Sequence, residues 1–263
     1  MTVNGITIRA LISGNGEKAI VFVHGNSCDA SFWAEQLNDD GLQKEYQLIA
    51  FDLPGHGKSG RHHSYQIQEL ASVIPELITQ LQLKEYILAG LSFGTSLISE
   101  TATALKGCKG FLLASPNITS NAYPPSTYIM PFPEVYAMAV PSVSDEALTK
   151  FAEQLVLDIS SPLVNEFKKS YLQTDPAFRV ALGNAIQNSE WSNEFENLIN
   201  TKLPCSLIFG KDEKILNIHY LDNYPDSWDH SVHVIESAAH FVNCEQINAF
   251  NKLLGDFAEK AFR

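Results

Sequence analysis

A serine stands between two glycines directly after an apolar run of the chain. Residues 90–94 read Gly-Leu-Ser-Phe-Gly, and a stretch of helical character follows them. This pattern predicts a strand that ends at a turn too tight for side chains at the glycine positions. The turn would hold the Ser92 hydroxyl at the tip of a sheet, beside a helix N-terminus with free backbone N–H groups. A nucleophile requires such an environment.

A serine hydroxyl is a weak nucleophile at neutral pH, so the same chemistry needs a base and an orienting acid. Among the eight histidines, His240 follows the last predicted strand and precedes the last predicted helix. That position would bring it to the same sheet edge as Ser92. The loop after the preceding strand carries two adjacent carboxylates, Asp212 and Glu213. Either could orient the imidazole and stabilise its protonated form, and periodicity does not choose between them.

The charge that develops on a carbonyl oxygen under attack needs backbone N–H groups aimed at one point. One would come from Phe93, directly after Ser92. The other would come from Asn26, in the turn His-Gly-Asn-Ser at 24–27, where Gly25 permits close approach of the backbone. We therefore predict an oxyanion hole formed by the N–H groups of Asn26 and Phe93.

Composition limits the classes of partner. The 263 residues suffice for one large α/β domain with an insertion, and the apolar fraction of 45% and charged fraction of 18% are those of an ordinary globular protein. A net charge of −12 argues against nucleic acid and against an anionic membrane surface, and favours a neutral or cationic small substrate. Nothing in the sequence predicts the oligomeric state.

The sequence also predicts a cytoplasmic location. The N-terminus shows neither a basic leader nor a long apolar stretch, and no run approaches the length that spans a bilayer. The four cysteines are scattered and form no Cys-x-x-Cys pair, which is typical of reduced thiols in a cytoplasmic protein.

Short apolar runs alternate with longer segments of helical periodicity, which predicts a mostly parallel sheet covered by helices. The predicted strands are 6–12, 19–23, 47–51, 86–89, 110–114, 206–209 and 232–235. The predicted helices are 67–81, with a kink or break at Pro75, 93–105 and 246–261.

The alternation stops between residues 116 and 203. Several prolines interrupt a first part rich in Tyr, Met and Phe, and three helical regions follow, the first with an apolar stripe that runs from Leu148 to Ile159. We predict that 1–115 and 204–263 form the core and that 116–203 form a helical cap, or lid, over the site. Five residues of the first part would suit an acyl chain or would pack the cap onto the core: Tyr128, Met130, Phe132, Tyr136 and Met138.

Five motifs, in this order along the chain, resemble those of the α/β-hydrolase family over nearly the whole length. They are His-Gly-Asn-Ser at 24–27, Asp-Leu-Pro-Gly-His-Gly-Lys-Ser at 52–59, Gly-Leu-Ser-Phe-Gly at 90–94, Gly-Lys-Asp-Glu at 210–213 and Ala-His at 239–240. The resemblance implies an α/β-hydrolase fold, with a mostly parallel central sheet flanked by helices and an inserted helical cap. It also implies a catalytic triad of Ser92, His240 and Glu213, because the family's acid usually falls three residues after the glycine. Asp212 stays the alternative acid, and Ala239 departs from the glycine that often precedes the histidine.

The same motifs are similar to those of a smaller group within the family that opens N-acyl-homoserine lactones. We therefore predict a serine hydrolase that cleaves a small carboxylic ester or lactone through an acyl-enzyme, without a cofactor. Two alternatives stay open. One is hydrolysis of a carbon–carbon bond in a diketone, and the other is ligand binding without catalysis on the same fold.

Three other patterns suggest different chemistry and are interpreted as structural. Residues 55–60 satisfy Gly-x-Gly-x-x-Gly, but a polar loop replaces the helix that a dinucleotide site requires. The same segment resembles the end of a P-loop, but Asp52 stands where the first glycine belongs. His62 and His63 alone do not supply the ligands of a metal-dependent hydrolase, so we predict no metal and a solvated pair. Ser92 excludes the aspartate nucleophile of the family's dehalogenases and epoxide hydrolases.

Overall fold

The protein is built around a central β-sheet. A computed structural model describes residues 1–222 and 230–263. The strands are β1 (Thr2–Val3), β2 (Ile6–Thr7), β3 (Ala10–Ser13), β4 (Lys18–Val23), β5 (Tyr46–Phe51), β6 (Tyr86–Leu91), β7 (Cys108–Ala114), β8 (Cys205–Gly210) and β9 (His230–Ile235). Strands β3 to β9 form one sheet in the order β3-β5-β4-β6-β7-β8-β9. Only β3 pairs antiparallel within it, so the predicted mostly parallel sheet is confirmed.

Helices cover the sheet. They are α1 (Ala34–Leu37), α2 (Asp40–Glu45), α3 (Ile67–Gln80), α4 (Phe93–Thr101), α5 (Pro125–Tyr128), α6 (Asp145–Gln154), α7 (Pro162–Gln173), α8 (Pro176–Asn188), α9 (Glu194–Thr201), α10 (Val242–Glu245) and α11 (Ile247–Ala261). Short 3₁₀ turns occupy Ala30–Trp33, Ala102–Ala104 and Val135–Met138. Within α11 the side chains of Phe250, Leu254 and Phe257 are buried, as their helical spacing predicts.

The parallel pairing brings the chemistry-bearing loops to one edge. Strands β6, β8 and β9 all run in the same direction, so the segments that follow them leave the sheet at the same side. These segments carry Ser92, Glu213 and His240. Every residue of β6 and β8 is buried, which is typical of inner strands covered on both faces.

The predicted strand 6–12 is wrong in its bounds. The chain instead forms a small hairpin in which Val3 pairs with Ile6, and only then enters the sheet at β3. The turn residues Asn4 and Gly5 both have positive φ, at 49° and 79°. Asn-Gly is the preferred sequence for such a two-residue hairpin turn, and this local signal outweighs the apolar run.

Two helix predictions also need correction. Pro75 lies inside α3, which continues to Gln80, so the predicted break is wrong, whereas a kink at Pro75 stays a prediction. The stripe predicted to reach Ile159 ends earlier, because α6 stops at Gln154 and Ile159 is exposed. Here the Asp158 carboxylate accepts hydrogen bonds from the N–H and hydroxyl of Ser160, a side-chain turn that competes with helix.

Helices α5 to α9 all lie between β7 and β8 in the sequence, within the segment 116–203. The division into core and cap at these residues stays a prediction. Across the described residues, each helix is too short or too polar to cross a bilayer.

Candidate active site

Ser92 occupies a strained turn between β6 and α4. Its backbone has φ 51° and ψ −119°, a region that residues with a side chain rarely adopt and that costs about 1–3 kcal/mol. Three hydrogen bonds hold the turn: the Ser92 N–H donates to Ala114 O at 2.9 Å, and Ser92 O accepts from the Thr95 N–H at 2.8 Å and from the Thr95 hydroxyl at 2.6 Å. The surrounding structure therefore fixes the serine where its side chain can reach the adjacent cavity.

The glycines around this turn are required by close packing. A Cβ atom on Gly94 would lie 2.3 Å from Val23 O, and one on Gly90 would lie 2.8 Å from Ile98 Cδ1. A Cβ atom on Gly25 would lie 3.3 Å from Ser92 Cβ. The collision predicted from the sequence is thus present at both flanking glycines, and Gly25 brings the neighbouring turn against the serine.

His240 and Glu213 form a buried pair at the same sheet edge. His240 Nδ1 lies 2.8 Å from Glu213 Oε2, and the two side chains are 4% and 0% exposed. The other Glu213 oxygen accepts a hydrogen bond from the Ile215 N–H at 2.8 Å. Asp212, the alternative acid, is exposed, and its backbone N–H donates to Ala238 O at 2.8 Å. Of the two carboxylates, Glu213 is the one that contacts the imidazole.

Backbone contacts hold the acid loop against the histidine loop. A Cβ atom on Gly210 would lie 2.2 Å from Ala239 O, so only glycine permits this approach. The Ser115 hydroxyl donates to His240 O at 2.8 Å, and the Ala239 N–H donates to a Glu245 carboxylate oxygen at 2.7 Å. The position of the imidazole is therefore set from both sides.

The environment of Glu213 keeps its carboxylate charged. Burial by itself would raise the pKa of Glu213, but the charge of His240, the hydrogen bond to it and the N–H of Ile215 together lower that pKa below its ordinary value. A carboxylate that stays ionised can orient the imidazole through Nδ1 and leave Nε2 available to a substrate.

The turn after β4 and the first residue of α4 each place a backbone N–H group at the cavity that Ser92 lines. Neither the N–H of Asn26 nor that of Phe93 donates a hydrogen bond to any residue that the structure describes. The Asn26 side chain is fixed, because its Nδ2 donates to Met138 O at 3.0 Å and its Oδ1 accepts from the Ser27 hydroxyl at 2.8 Å. Asn26 and Phe93 both line the same cavity as Ser92, and the oxyanion hole that they would form stays a prediction.

Ser92, His240, Asn26 and Phe93 line one cavity. No hydrogen bond joins Ser92 to His240 within residues 1–222 and 230–263. In ligand-free sites such bonds are often long and tighten only when substrate binds. The geometry therefore brings Ser92, His240, Asn26 and Phe93 to one cavity, and Glu213 contacts His240.

The remaining walls of this cavity are mainly apolar, and many of them come from the segment 116–203. They include Tyr128, Ile129, Met138, Phe151, Leu155, Phe167, Leu182 and Ile186. Of the five residues predicted to suit an acyl chain, Tyr128 and Met138 line the cavity. Met130 and Tyr136 are exposed, and Phe132 stacks on Phe151 at 5.9 Å between ring centroids. For those three residues the acyl-chain prediction is wrong, because a stretch rich in large side chains does not show which of them point inward.

Glu194 is a buried residue of the cavity wall that sequence reasoning missed. It is fully buried, and its carboxylate accepts hydrogen bonds from the Ser96 hydroxyl and from the Thr119 N–H, the latter at 2.6 Å. Burial raises the pKa of Glu194 well above its ordinary value, although these hydrogen bonds oppose the shift. Its partners lie 98 and 75 residues away in the sequence, so no local pattern could have identified it.

Arg179 of α8, also missed, links the helices of 116–203 to the turn that carries Asn26. The buried guanidinium donates to Ser27 Oγ at 3.2 Å, to Val140 O at 3.1 Å and to Pro141 O at 2.8 Å. It also lies 3.8 Å from the centre of the Tyr171 ring. Since Ser27 in turn holds the Asn26 side chain, Arg179 supports the position of that turn.

The glycine-rich segment 55–60 folds around a carboxylate of the chain itself. Asp52 Oδ2 accepts the Lys58 N–H at 2.8 Å, and a Cβ atom on Gly57 would lie 2.4 Å from that oxygen. Arg9 pairs with the same carboxylate at 3.3 Å. The backbone donors of this segment are thus used within the chain: the Lys58 N–H donates to Asp52, and the N–H groups of Gly55, His56 and Ser59 donate to backbone carbonyls.

Comparison with known proteins identifies the family of this chain. Residues 20–244 match the family described as "Alpha/beta hydrolase family". The chain is 25% identical to the dihydrolipoyllysine-residue acetyltransferase component of the acetoin cleaving system of Cupriavidus necator, over 96% of this chain and 66% of that protein, so it spans slightly less than two thirds of that relative. It is 26% identical to the uncharacterized hydrolase YugF of Bacillus subtilis, over 82% of this chain and 80% of that protein.

A solved structure of similar shape supports the same fold. The chain superposes on the N-acyl homoserine lactonase AidH complexed with N-butanoyl homoserine, with a TM-score of 0.87 and 21% identity, over 97% of this chain and 93% of that chain. At this identity the likeness concerns the fold. Together with the family match, it confirms the predicted fold class.

The two buried glutamates are expected to respond to pH in opposite directions. The pKa of Glu213 is lowered by folding, so its contribution to the free energy of unfolding is present above the unfolded pKa and is lost as pH falls through the lowered value. The pKa of Glu194 is raised, so its contribution is present below the unfolded pKa and is lost as pH rises towards the raised value. Glutamine at either position does not ionise.

Urea unfolding of the wild type, Glu194→Gln and Glu213→Gln between about pH 3 and about pH 8 measures both effects, because the Glu213 effect lies below the unfolded pKa of a glutamate. Relative to the wild type, Glu194→Gln should gain stability as pH rises, and Glu213→Gln should lose it. Free-energy curves that run parallel for all three proteins would contradict the two opposite environments.

Proposed function

The chain belongs to the alpha/beta hydrolase family, and from that premise we propose that it is a serine hydrolase of small, neutral carboxylic esters or lactones. The observation that carries the proposal is the buried Glu213–His240 pair, whose His240 lines the same cavity as the strained Ser92. A structural ion pair would not need a hydroxyl and two unpartnered N–H groups beside it. We also propose that the protein is cytoplasmic, as expected from the sequence.

In the first step Ser92 Oγ attacks the carbonyl carbon while His240 Nε2 takes the hydroxyl proton. Glu213 stays ionised, because its pKa is lowered, and it stabilises the imidazolium through the 2.8 Å hydrogen bond at Nδ1. The N–H groups of Asn26 and Phe93 receive the negative charge on the carbonyl oxygen. Each such donor is worth about 10²–10³ in kcat.

Collapse of the tetrahedral intermediate breaks the carbon–oxygen bond to the alcohol, and His240 returns its proton to that oxygen. An ester loses the alcohol here, whereas a lactone keeps it as part of the opened chain. A water molecule then attacks the acyl-enzyme with His240 as base, releases the acid and restores the Ser92 hydroxyl.

The cavity favours a neutral acyl group. Its walls include many apolar side chains, and none of the described residues that line it is a lysine or an arginine. The titratable carboxyl that lines it, Glu194, would repel an anionic substrate when ionised. We propose that the segment 116–203 forms a cap that supplies most of these walls, and that an acyl chain lies among Phe151, Leu182 and Ile186.

An N-acyl homoserine lactone fits these requirements. It is uncharged, its lactone carbonyl is open to Ser92, and its acyl chain would enter the apolar part of the cavity. The structural likeness to the lactonase AidH supports this narrower choice. Simple esters of the same acyl length would share the site.

Labelling with a fluorophosphonate probe tests the nucleophile. The wild type should be modified at Ser92, since the probe needs a serine activated by His240, and peptide mass spectrometry identifies the site. Ser92→Ala should lose labelling and should lower kcat on the order of 10⁴-fold or more. Ser96→Ala is a matched control, because Ser96 lines the same cavity one helical turn further along α4. A folded wild type that takes no label would instead favour a ligand-binding protein without catalysis.

A substrate panel tests the substrate class. With homoserine lactones of increasing acyl length, kcat/KM should rise about three- to fourfold per methylene until the cavity is filled, since each buried methylene contributes about 0.8 kcal/mol. Leu182→Ala should weaken this dependence because Leu182 lines the cavity. Leu172→Ala should not, since Leu172 is 70% exposed on α7.

The same panel includes p-nitrophenyl esters and a diketone, each measured beside Ser92→Ala. If esters are hydrolysed and no lactone is, the lactone is rejected as substrate, but the proposal of a serine hydrolase still holds. Turnover of the diketone alone would replace the proposal with carbon–carbon bond hydrolysis.

A further inference from the structure

Two histidines and a glutamate lie together beside the start of α3. His62 and His63 belong to the loop before that helix, and Glu69 lies in its first turn. One ring nitrogen of each histidine and one carboxylate oxygen of Glu69 are all within 4.8 Å of one another. The sequence predicts a solvated histidine pair, and the fold adds the third potential ligand.

The donor set and spacing match those of a transition-metal ion. Two imidazole nitrogens and one carboxylate oxygen form a set that Zn²⁺ accepts, with water in the fourth position. Two ligands at the usual distances from a tetrahedral Zn²⁺ lie about 3.4 Å apart. Glu69 Oε2 lies 3.4 Å from His62 Nδ1.

Glu69 presents one buried carboxylate oxygen to this cluster, although its side chain as a whole is 41% exposed. Its Oε2 atom is buried and accepts no hydrogen bond from the described part of the chain. A buried carboxylate oxygen requires a proton, a donor or a cation to offset its lost hydration. The net charge of −12 raises the concentration of cations near the surface and so favours a cation as the partner of this oxygen.

One existing contact would compete with the ion. The Ser64 N–H donates to His62 Nδ1 at 3.1 Å, and the Ser64 carbonyl also contacts this nitrogen. A metal bound at Nδ1 would take the lone pair that now accepts the N–H. Binding should therefore be reversible and weaker than in a preformed structural zinc site.

We propose that His62, His63 and Glu69 form a binding site for a divalent transition-metal ion, with Zn²⁺ the best match. None of the three lines the cavity that holds Ser92, so the site is separate from the proposed hydrolysis. It lies in a loop that supports the cap helix α8, since the Tyr65 hydroxyl donates to Asp175 Oδ2 at 2.8 Å. A bound ion fastens this loop to α3 and stabilises the folded chain.

Isothermal titration calorimetry of Zn²⁺ into the full, metal-stripped chain tests the site. The wild type should bind one ion at this site, and thermal unfolding should move to higher temperature when Zn²⁺ is added. His63→Ala and Glu69→Gln should each weaken binding at least about tenfold. His219→Ala is the matched control and should leave binding unchanged, because His219 is an exposed histidine outside the cluster.

Footprinting on the wild type keeps the test independent of how the variants fold. Zn²⁺ should protect His62 and His63, but not His219, from diethyl pyrocarbonate, as read by peptide mass spectrometry. The proposal is overturned if the wild type binds no Zn²⁺, if both cluster variants bind it as tightly as the wild type, or if the protection falls on other histidines.

Discussion

The hydrogen bond between Glu213 and His240 is the interaction on which the site depends. A fully buried carboxylate is costly unless it is paired and hydrogen-bonded, and here the imidazole and the Ile215 N–H together stabilise its charge. The pair links the loop after β8 to the loop after β9. It can form because the parallel sheet delivers both loops to one edge, which is also where β6 presents Ser92. The sheet topology thus brings the three loops close together, and the ion pair fixes the orientation of the His240 imidazole.

The helices between β7 and β8 contact the turn beside Ser92 as well as lining the cavity. Arg179 of α8 donates to Ser27, and Ser27 donates to Asn26, so a residue of the proposed cap supports the turn that carries the proposed oxyanion donor. Met138 accepts a hydrogen bond from Asn26 in the same region. Movement of these helices would therefore alter the turn beside Ser92 together with the space for substrate. In the proposed reaction, these contacts would couple substrate binding to the position of the Asn26 N–H group.

Most of the fold was predictable from the sequence, because the spacing of apolar residues and the positions of turn-forming residues are local signals. The strand ends and the residues near them, Ser92 and His240, follow from apolar runs and glycines. The choice between Asp212 and Glu213 does not, since adjacent residues share every periodic property. Glu194, Arg179 and Glu69 escaped prediction because their roles arise from contacts made only in the folded chain. The bounds of the N-terminal strand were wrong because a local signal, the Asn-Gly turn, was overlooked.

A crystal structure of the wild type after reaction with a phosphonate ester, which mimics the tetrahedral intermediate, tests the central claim most directly. The account predicts a covalent bond from phosphorus to Ser92 Oγ, with a phosphonyl oxygen within about 3 Å of the N–H groups of both Asn26 and Phe93. His240 Nε2 should lie within hydrogen-bonding distance of the ester or serine oxygen, with Nδ1 still bound to Glu213. A phosphonate attached elsewhere, or one whose oxygen points away from both N–H groups, would contradict it.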